Sequence, residues 1–220
     1  ATADVVERAY TLPVFDVTSA PFPYCAVDAS QVDELMAQLG RDGQIGQHFM
    51  FGVNGSADNI DAVGLEMLTT LRPGGVFMGP PLGVAVGDPG RTASIIHSAQ
   101  STALSTSGVP LFVSLDQEGG ANSVVNSITG GTDTLGGLPT GATLSADIAF
   151  DQFAVMGREL ATLGFNMALA PVLDTLTSTR NGNLNTRSFG PDHALNAVLG
   201  VAAMAGFQQQ GVIAVGKHFP

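Results

Sequence analysis

One stretch, Leu111-Phe-Val-Ser-Leu-Asp-Gln-Glu-Gly-Gly120, decides the fold of this chain. Its first five residues form an apolar run with the length and composition of a buried strand. The run ends at Asp116 and Glu118, and the two glycines that follow mark the start of a loop. A buried strand that ends in carboxylates is typical of α/β proteins, in which functional side chains gather at the carboxyl ends of the strands.

Four more apolar runs of strand length surround this one, and helical patterns separate them. The predicted strands are Phe49–Val53, Gly75–Met78, Leu111–Leu115, Met167–Leu173 and 212–216. The predicted helices are 30–40, 58–71, 88–107, 145–164 and 191–210, and long polar loops are expected at 119–144 and 175–190. Because helices alternate with strands, the chain is predicted to be an α/β protein with parallel strand pairing.

Two parallel architectures fit this pattern, a (β/α)8 barrel and a doubly wound sheet. The glycine fingerprints of dinucleotide and phosphate sites are absent after every predicted strand, which favours the barrel. A complete barrel needs roughly 250 residues. We therefore predict a TIM-type barrel of which about the first five β/α units are present. Residues 1–30 are predicted to be an irregular N-terminal extension, and 31–220 the N-terminal portion of a barrel domain that is incomplete at its C-terminus.

The composition of the chain disfavours several kinds of partner. The chain is 45% hydrophobic and 12% charged, which is enough apolar material for a substantial core, and its formal net charge is −11. Nucleic acids and anionic membranes both require a positive protein surface, so neither is expected as a partner. No apolar run reaches the roughly 18 residues that cross a bilayer, so no membrane span is predicted.

The N-terminal region carries two weaker signals. Cys25 is the only cysteine, which excludes an internal disulfide and a cysteine-based zinc site, and we expect it to be a small buried apolar residue. Ala1-Thr-Ala-Asp4 resembles the start of a mature exported chain, because export signals are cleaved after small residues. An extracellular or cell-envelope location is therefore expected, and a cytoplasmic one is left open.

Polar side chains follow the last three predicted strands. They are Asp116 and Glu118, then Asp174 and Arg187, then Lys217 and His218. Lys217 is the only lysine of the chain. Carboxylates accept hydrogen bonds from hydroxyl groups while Lys, Arg and His donate to them, so the set suits a pocket for one sugar unit.

Structural roles compete with this interpretation. Asp174 could instead cap the following helix, Arg187 could brace its loop, and His218 could be a core histidine. The other histidines, His48, His97 and His193, show no spacing typical of metal ligands and are interpreted as structural or solvent-facing. No metal is therefore expected.

Four motifs in order resemble glycoside hydrolase family 3, in its β-N-acetylglucosaminidase branch. They are Asp116-Gln-Glu-Gly-Gly120, Ala170-Pro-Val-Leu-Asp174, Arg187-Ser-Phe-Gly190 and Lys217-His-Phe-Pro220. The resemblance implies a retaining exo-β-glycosidase that removes terminal β-linked N-acetylglucosamine or a related hexose. It assigns substrate binding to Asp116, Arg187, Lys217 and His218, and implies no cofactor. The acid/base and the nucleophile of this family fall after Pro220, so none of the catalytic residues is expected in this chain, and the remainder of the domain is an expected partner.

One departure from the family pattern lies after Gly120. The family continues with Arg-Val-x-Arg, whose second arginine helps to bind the sugar, whereas this chain has Ala121-Asn-Ser-Val124. Arg180, in the neighbouring loop, is a candidate replacement.

Two other functions stay open at this point. A non-catalytic carbohydrate-binding protein would use the same pocket without the downstream catalytic groups. A Schiff-base aldolase would use Lys217 as its nucleophile, because a lysine at the end of a barrel strand is the arrangement that such an enzyme needs.

Overall fold

The computed structural model of the chain describes residues 29–56, 59–79, 88–178 and 180–218. Most of the predicted extension at 1–30, including Cys25, lies outside these ranges, and so do Phe219 and Pro220. The expectations for those residues stay predictions.

Short strands and longer helices alternate through the described residues. The strands are β1 (Met50–Gly52), β2 (Gly55–Ser56), β3 (Asn59–Ile60), β4 (Gly75–Phe77), β5 (Phe112–Leu115), β6 (Met167–Ala168) and β7 (Ile213–Ala214). The α-helices are α1 (Ala29–Gly46), α2 (Ala62–Leu71), α3 (Pro89–Ser107), α4 (Gly137–Thr143), α5 (Ala146–Leu163) and α6 (His193–Gln209). Single 3-10 turns lie at Gly120–Asn122, Ser127–Thr129 and Asn185–Arg187.

Five of the strands form one sheet in the order β1-β4-β5-β6-β7, and each neighbouring pair is parallel. The predicted α/β class with parallel pairing is confirmed. The strand order follows the chain without a reversal, whereas a doubly wound sheet reverses its order at a switch point. β2 and β3 form a separate antiparallel pair.

The two faces of the sheet have different surroundings. Side chains alternate between faces along a strand, and the register places Phe51, Val76 and Val113 side by side on one of them. Val76 and Val113 are fully buried in the core that the sheet shares with the helices. On the other face Met50 and Phe112 are exposed. Helices that cover only one face of a parallel sheet are the arrangement of a barrel wall.

Helices α5 and α6 make the tightest helix pair of the core. Phe153 of α5 meets Phe207 of α6 edge-to-face, with ring centroids 5.1 Å apart. Phe153 also contacts Phe189, which lies in the loop before α6, at 6.4 Å between centroids. Such aromatic pairs stabilise a core by about 1 kcal/mol beyond the area that they bury. Here the contact between Phe153 and Phe189 also attaches the loop before α6 to the helical layer.

Helix α1 differs from its predicted form in two ways. Gly40 was expected to end the helix, but the helical residues continue to Gly46 with a break at Gly40, where φ is 61° and ψ is 179°. Glycine adopts this backbone conformation without the steric penalty of a side chain. The predicted apolar face is also mostly exposed, since Leu39 is buried but Val32 and Met36 are not.

The predicted strand Met167–Leu173 is shorter than expected. Regular pairing stops at Ala168, and only a single bridge joins Val172 to Lys217 further along. Pro171 explains the interruption, because it has no N–H group to donate to a ladder. Because Val172 pairs with Lys217, the segments that follow β6 and β7 still run parallel up to the polar residues of the site.

Helix α4, which the sequence placed inside a long loop, supports the loop that carries Arg187. A Cβ atom on Gly137 would collide with the backbone oxygen of Arg187, and one on Gly141 with the backbone oxygen of Phe189. The two glycines lie four residues apart and therefore on one side of the helix. That side contacts the Arg187–Phe189 backbone directly.

We expect Gly141→Ala to move this loop and to destabilise the protein by roughly 1–3 kcal/mol, the usual cost of overpacking. Gly182→Ala is the matched control, because a Cβ atom at Gly182 meets no atom within 4 Å. Thermal unfolding of both variants measures the effect. Equal melting temperatures would contradict the close contact between α4 and the loop.

Candidate functional site

The predicted site residues meet at the carboxyl ends of β5, β6 and β7. Asp116 and Glu118 follow β5, and Lys217 and His218 follow β7. Arg187 arrives from the loop after β6, through the 3-10 turn Asn185–Arg187. The structure therefore brings together all four residues that the sequence assigned to substrate binding.

Glu118 is the centre of this cluster, and its side chain is only 4% exposed. It accepts two hydrogen bonds from Arg187, from Nε at 2.7 Å and from Nη2 at 2.9 Å. Lys217 Nζ lies 2.6 Å from Oε1, the oxygen that also accepts from Arg187 Nη2. Asn122 Nδ2 donates to Oε2 at 3.2 Å. One buried carboxylate thus fixes both permanent cations of the site.

The surroundings of Glu118 decide its charge. Burial raises the pKa of a carboxyl group, but here the hydrogen bonds from Arg187 and Lys217, the charge of Lys217 and the bond from Asn122 outweigh it. Together they lower the pKa of Glu118 to about 2. The hydrogen bonds that Arg187 donates to Glu118 also raise the pKa of Arg187 above its usual value. The pair is therefore fully ionised at neutral pH.

Lys217 joins the buried carboxylate to an exposed one. Its Nζ donates to Asp116 Oδ1 at 2.5 Å, and the Asp116 side chain is 42% exposed. An ammonium group has three N–H bonds, so one remains after Asp116 and Glu118 are satisfied. Asp116 Oδ2 accepts no hydrogen bond from the described residues. The exposed edge of the cluster therefore offers an acceptor and a donor side by side.

His218 is held at both of its ring nitrogens. Nδ1 lies 2.7 Å from Asp174 Oδ2, and Nε2 lies 3.2 Å from Arg187 Nη2. The backbone N–H of His218 also donates to Asp174 Oδ2, at 3.1 Å. The interpretation of Asp174 as a helix cap is wrong, since α6 is capped by Asp192. His218 is not a core histidine either, because its side chain is 50% exposed.

The loop after β5 is fixed by Gln117, which is fully buried. Its amide donates to the backbone oxygen of Val125 and accepts from the N–H groups of Val124 and Val125. Gly119 turns the chain with φ at 90°, and a Cβ atom there would collide with the Leu135 backbone. These contacts explain why the loop turns sharply enough to point Asp116 and Glu118 at the same partner.

Comparison with known proteins identifies the family. Residues 31–220 match the family described as "Glycosyl hydrolase family 3 N terminal domain". The chain belongs to glycoside hydrolase family 3. The "Beta-N-acetylglucosaminidase/beta-glucosidase" of Cellulomonas fimi is 34% identical over 208 residues, covering 94% of this chain and 34% of that protein. The chain thus spans about a third of the length of this curated relative.

Solved structures agree with the assignment to family 3. A family 3 β-N-acetylglucosaminidase from Paenibacillus sp. str. FPU-7 superposes with a TM-score of 0.75 at 32% identity, covering 82% of this chain and 33% of that one. The β-N-acetylhexosaminidase from Beutenbergia cavernae superposes with a TM-score of 0.70 at 32% identity. It covers 81% of this chain and 53% of that one.

The departure from the family 3 pattern has a local consequence. At the positions of the two arginines of the pattern lie Ala121, which is exposed, and Val124, which is half-buried. Asn122, between them, donates a hydrogen bond to Glu118. Arg180, the candidate replacement, is exposed, and its guanidinium makes no ion pair within the described residues. Its role in binding stays a prediction.

Two members of the cluster, Glu118 and Asp174, were not among the residues assigned to binding. The sequence nevertheless placed both among the polar residues that follow the predicted strands, which is the signal for their position at the site. Their partners could not be predicted, because each is fixed by a residue far along the chain, Arg187 and His218 respectively.

We expect stability to fall in acid as Glu118 becomes protonated. Its pKa is about 2 in the folded protein and near 4.5 when unperturbed, so its stabilisation is complete above pH about 4.5. It is lost as the pH falls through about 2 and amounts to about 3 kcal/mol. Urea unfolding between pH 6 and pH 2, compared with Glu118→Gln, isolates this contribution. Parallel pH curves for the two proteins would contradict the lowered pKa.

The described residues contain neither a metal-binding cluster nor a membrane-spanning helix. Within them, no group of three or more His, Cys, Asp and Glu side chains is arranged to hold a metal ion. None of their helices is long and apolar enough to cross a bilayer.

Proposed function

We propose that the full-length protein is a retaining exo-β-glycosidase that removes terminal β-linked N-acetylglucosamine or a related hexose. The observation that carries the proposal is the Asp116–Lys217–Glu118–Arg187 cluster at the carboxyl ends of parallel strands, in a chain of glycoside hydrolase family 3. That end of a parallel barrel is where active sites form. The names of the Cellulomonas and Paenibacillus relatives support N-acetylglucosamine as the sugar.

The free groups of the cluster match a pair of neighbouring sugar hydroxyls. Asp116 Oδ2 would accept from one hydroxyl, and the remaining N–H of Lys217 would donate to the next. Arg187 has five N–H groups, four of which are bound to Glu118, His218 and Asn183, so one of its Nη1 hydrogens is also free. His218 would complete the wall with the exposed part of its ring. Charged donors and acceptors make the stronger hydrogen bonds.

The hydrolytic groups would come from outside residues 29–218. Retention needs two groups, a nucleophile that forms a glycosyl-enzyme intermediate and an acid/base. Glu118 is paired with two cations, Asp116 with Lys217 and Asp174 with His218, so each carboxylate of the cluster already holds another side chain of the site. We place both catalytic groups in the remainder of the same domain.

The open face of the sheet supports the presence of that remainder. Met50, Phe112 and Ile213 are exposed apolar residues on strands, and β1 and β7 have unpaired edges within the described residues. Three further strands would close a (β/α)8 barrel, cover these side chains and pair both edges. The extracellular or cell-envelope location stays a prediction.

A Schiff-base role for Lys217 is not favoured by the geometry. Such a lysine must attack as a neutral amine. Lys217 Nζ instead lies 2.5 and 2.6 Å from two carboxylates, which are partners for an ammonium ion.

The proposal is tested with the full-length protein and nitrophenyl glycosides. We expect release of nitrophenol from the β-N-acetylglucosaminide with retention of anomeric configuration, observed by NMR. No turnover of either the N-acetylglucosaminide or the glucoside would contradict the enzyme. Binding of N-acetylglucosamine without turnover would instead support the non-catalytic carbohydrate-binding protein.

A further inference from the structure

The polar side chains of the site form one continuous series of contacts with Asp174 at its far end. Starting from the exposed Asp116, the series passes through Lys217, Glu118, Arg187 and His218. It ends at Asp174. The sugar contacts proposed above account for the first part of the series. They give His218 only a place in the wall of the pocket and leave Asp174 without a function.

The partners of His218 allow only one arrangement of its proton. A guanidinium group can donate but never accept, so Nε2 must present its lone pair to Arg187 Nη2. The ring proton therefore lies on Nδ1, where it points at Asp174 Oδ2, 2.7 Å away. Which nitrogen of a histidine carries the proton is set by the hydrogen bond that the other nitrogen makes. Here Arg187 requires an unprotonated Nε2, and Asp174 supplies the acceptor that holds the ring in place with its proton on Nδ1.

Asp174 is itself held in place by its surroundings. Its backbone oxygen accepts hydrogen bonds from the Ser188 hydroxyl at 2.6 Å and from Asn196 Nδ2 at 3.3 Å. Its Oδ2 accepts from both the backbone and the ring of His218, which fixes the ring relative to its own main chain. The carboxylate is thus a rigid support for the imidazole.

We propose that Asp174 is a positioning residue that holds His218 in the Nδ1–H tautomer, so that Nε2 anchors Arg187 beside the sugar pocket. Arg187 Nη2 then has two fixed acceptors, Glu118 and His218, and its planar group cannot rotate away from the site. His218 acts through Arg187 and donates no ring hydrogen bond to the sugar. The proposal rests on the proposed function only for the identity of the ligand.

The tautomer can be observed directly in the full-length protein labelled with 15N-histidine. Two-bond 1H–15N correlation spectra distinguish the Nδ1–H, Nε2–H and doubly protonated ring, and His218→Asn assigns the signals by their loss. We expect the Nδ1–H pattern at neutral pH. An Nε2–H pattern for His218 in the wild-type protein would overturn the proposal.

Substitutions at Asp174 test what sets the tautomer. Asp174→Ala removes the group that holds the ring against Arg187, so we expect the released His218 to take the Nε2–H form that a free neutral imidazole prefers in water. Affinity for N-acetylglucosamine should fall roughly tenfold, the range of one lost hydrogen bond. Asp174→Asn keeps an oxygen acceptor and is expected to retain the Nδ1–H form and most of the affinity. Asp151→Ala, an exposed aspartate on α5, is the matched control and should change neither quantity.

The positioning role of Asp174 and the proposed function can each fail without the other. A persistent Nδ1–H pattern in Asp174→Ala overturns the positioning role, even if the wild-type protein hydrolyses the glycoside. The expected tautomer change in a protein that neither binds nor hydrolyses the sugar supports the role of Asp174 and overturns the proposed function alone. Circular dichroism of each variant ensures that a changed spectrum does not come from unfolding.

Discussion

Glu118→Gln is expected to weaken both the fold and the site. The substitution removes the negative charge that Arg187 and Lys217 share. It also replaces one carboxylate oxygen, an acceptor, with an NH2 group, which is itself a donor and faces the donors of Arg187 and Lys217. Removing one partner of a buried ion pair typically costs 3–5 kcal/mol, because the remaining charge is left buried without compensation. We therefore expect a loss of about 3 kcal/mol in the free energy of unfolding at pH 7. Affinity for N-acetylglucosamine should fall about 100-fold, since both cations lose their common support.

Glu66→Gln is the matched control for this prediction. Glu66 is an exposed glutamate on α2, away from the cluster, and its substitution should change stability by less than about 0.5 kcal/mol. Urea unfolding and calorimetric titration of N-acetylglucosamine measure the two effects on the full-length protein. Equal behaviour of Glu118→Gln and Glu66→Gln would show that Glu118 is not the centre of the site.

Arg187→Met is expected to reduce kcat/KM for the nitrophenyl N-acetylglucosaminide by about 100- to 1,000-fold. The variant loses the proposed sugar contact of Nη1, leaves Glu118 paired with Lys217 alone and removes the partner of His218 Nε2. A loss of 3–4 kcal/mol in transition-state binding corresponds to this factor. Met keeps the length and apolar stem of the side chain, so the change isolates the guanidinium group.

Arg158→Met provides the comparison for this loss. Arg158 is an exposed arginine on α5, and its guanidinium makes no ion pair within the described residues. Its variant should keep the wild-type kcat/KM. If Arg187→Met also kept the wild-type value, Arg187 would be a brace for its loop, the alternative that the sequence left open.

The fold was predictable because its signals are local. Apolar runs such as Leu111–Leu115 are separated by helical patterns, and parallel pairing follows from that alternation. The predictions about the fold that were wrong also concern short segments. The break at Gly40 is a single backbone conformation that an apolar pattern does not encode. The early end of pairing follows from the missing N–H group of Pro171, which the apolar character of the run does not indicate.

The site was predictable only in part. The four motifs located Asp116, Arg187, Lys217 and His218, and the strand order then brought them together. Which side chains contact one another could not be predicted from the sequence, because the contact between Lys217 and Asp116 joins residues 101 positions apart. For the same reason the burial of Glu118, which makes it a support for two cations, became visible only in three dimensions.

A crystal structure of the full-length protein with N-acetylglucosamine tests the central claim, that the cluster around Glu118 is a sugar site. We expect one sugar hydroxyl within hydrogen-bonding distance of Asp116 Oδ2 and a neighbouring hydroxyl within reach of Lys217 Nζ. Glu118 should stay paired with Arg187 and Lys217, out of contact with the sugar. A sugar bound elsewhere, with the Asp116 and Lys217 groups free of it, would contradict the account.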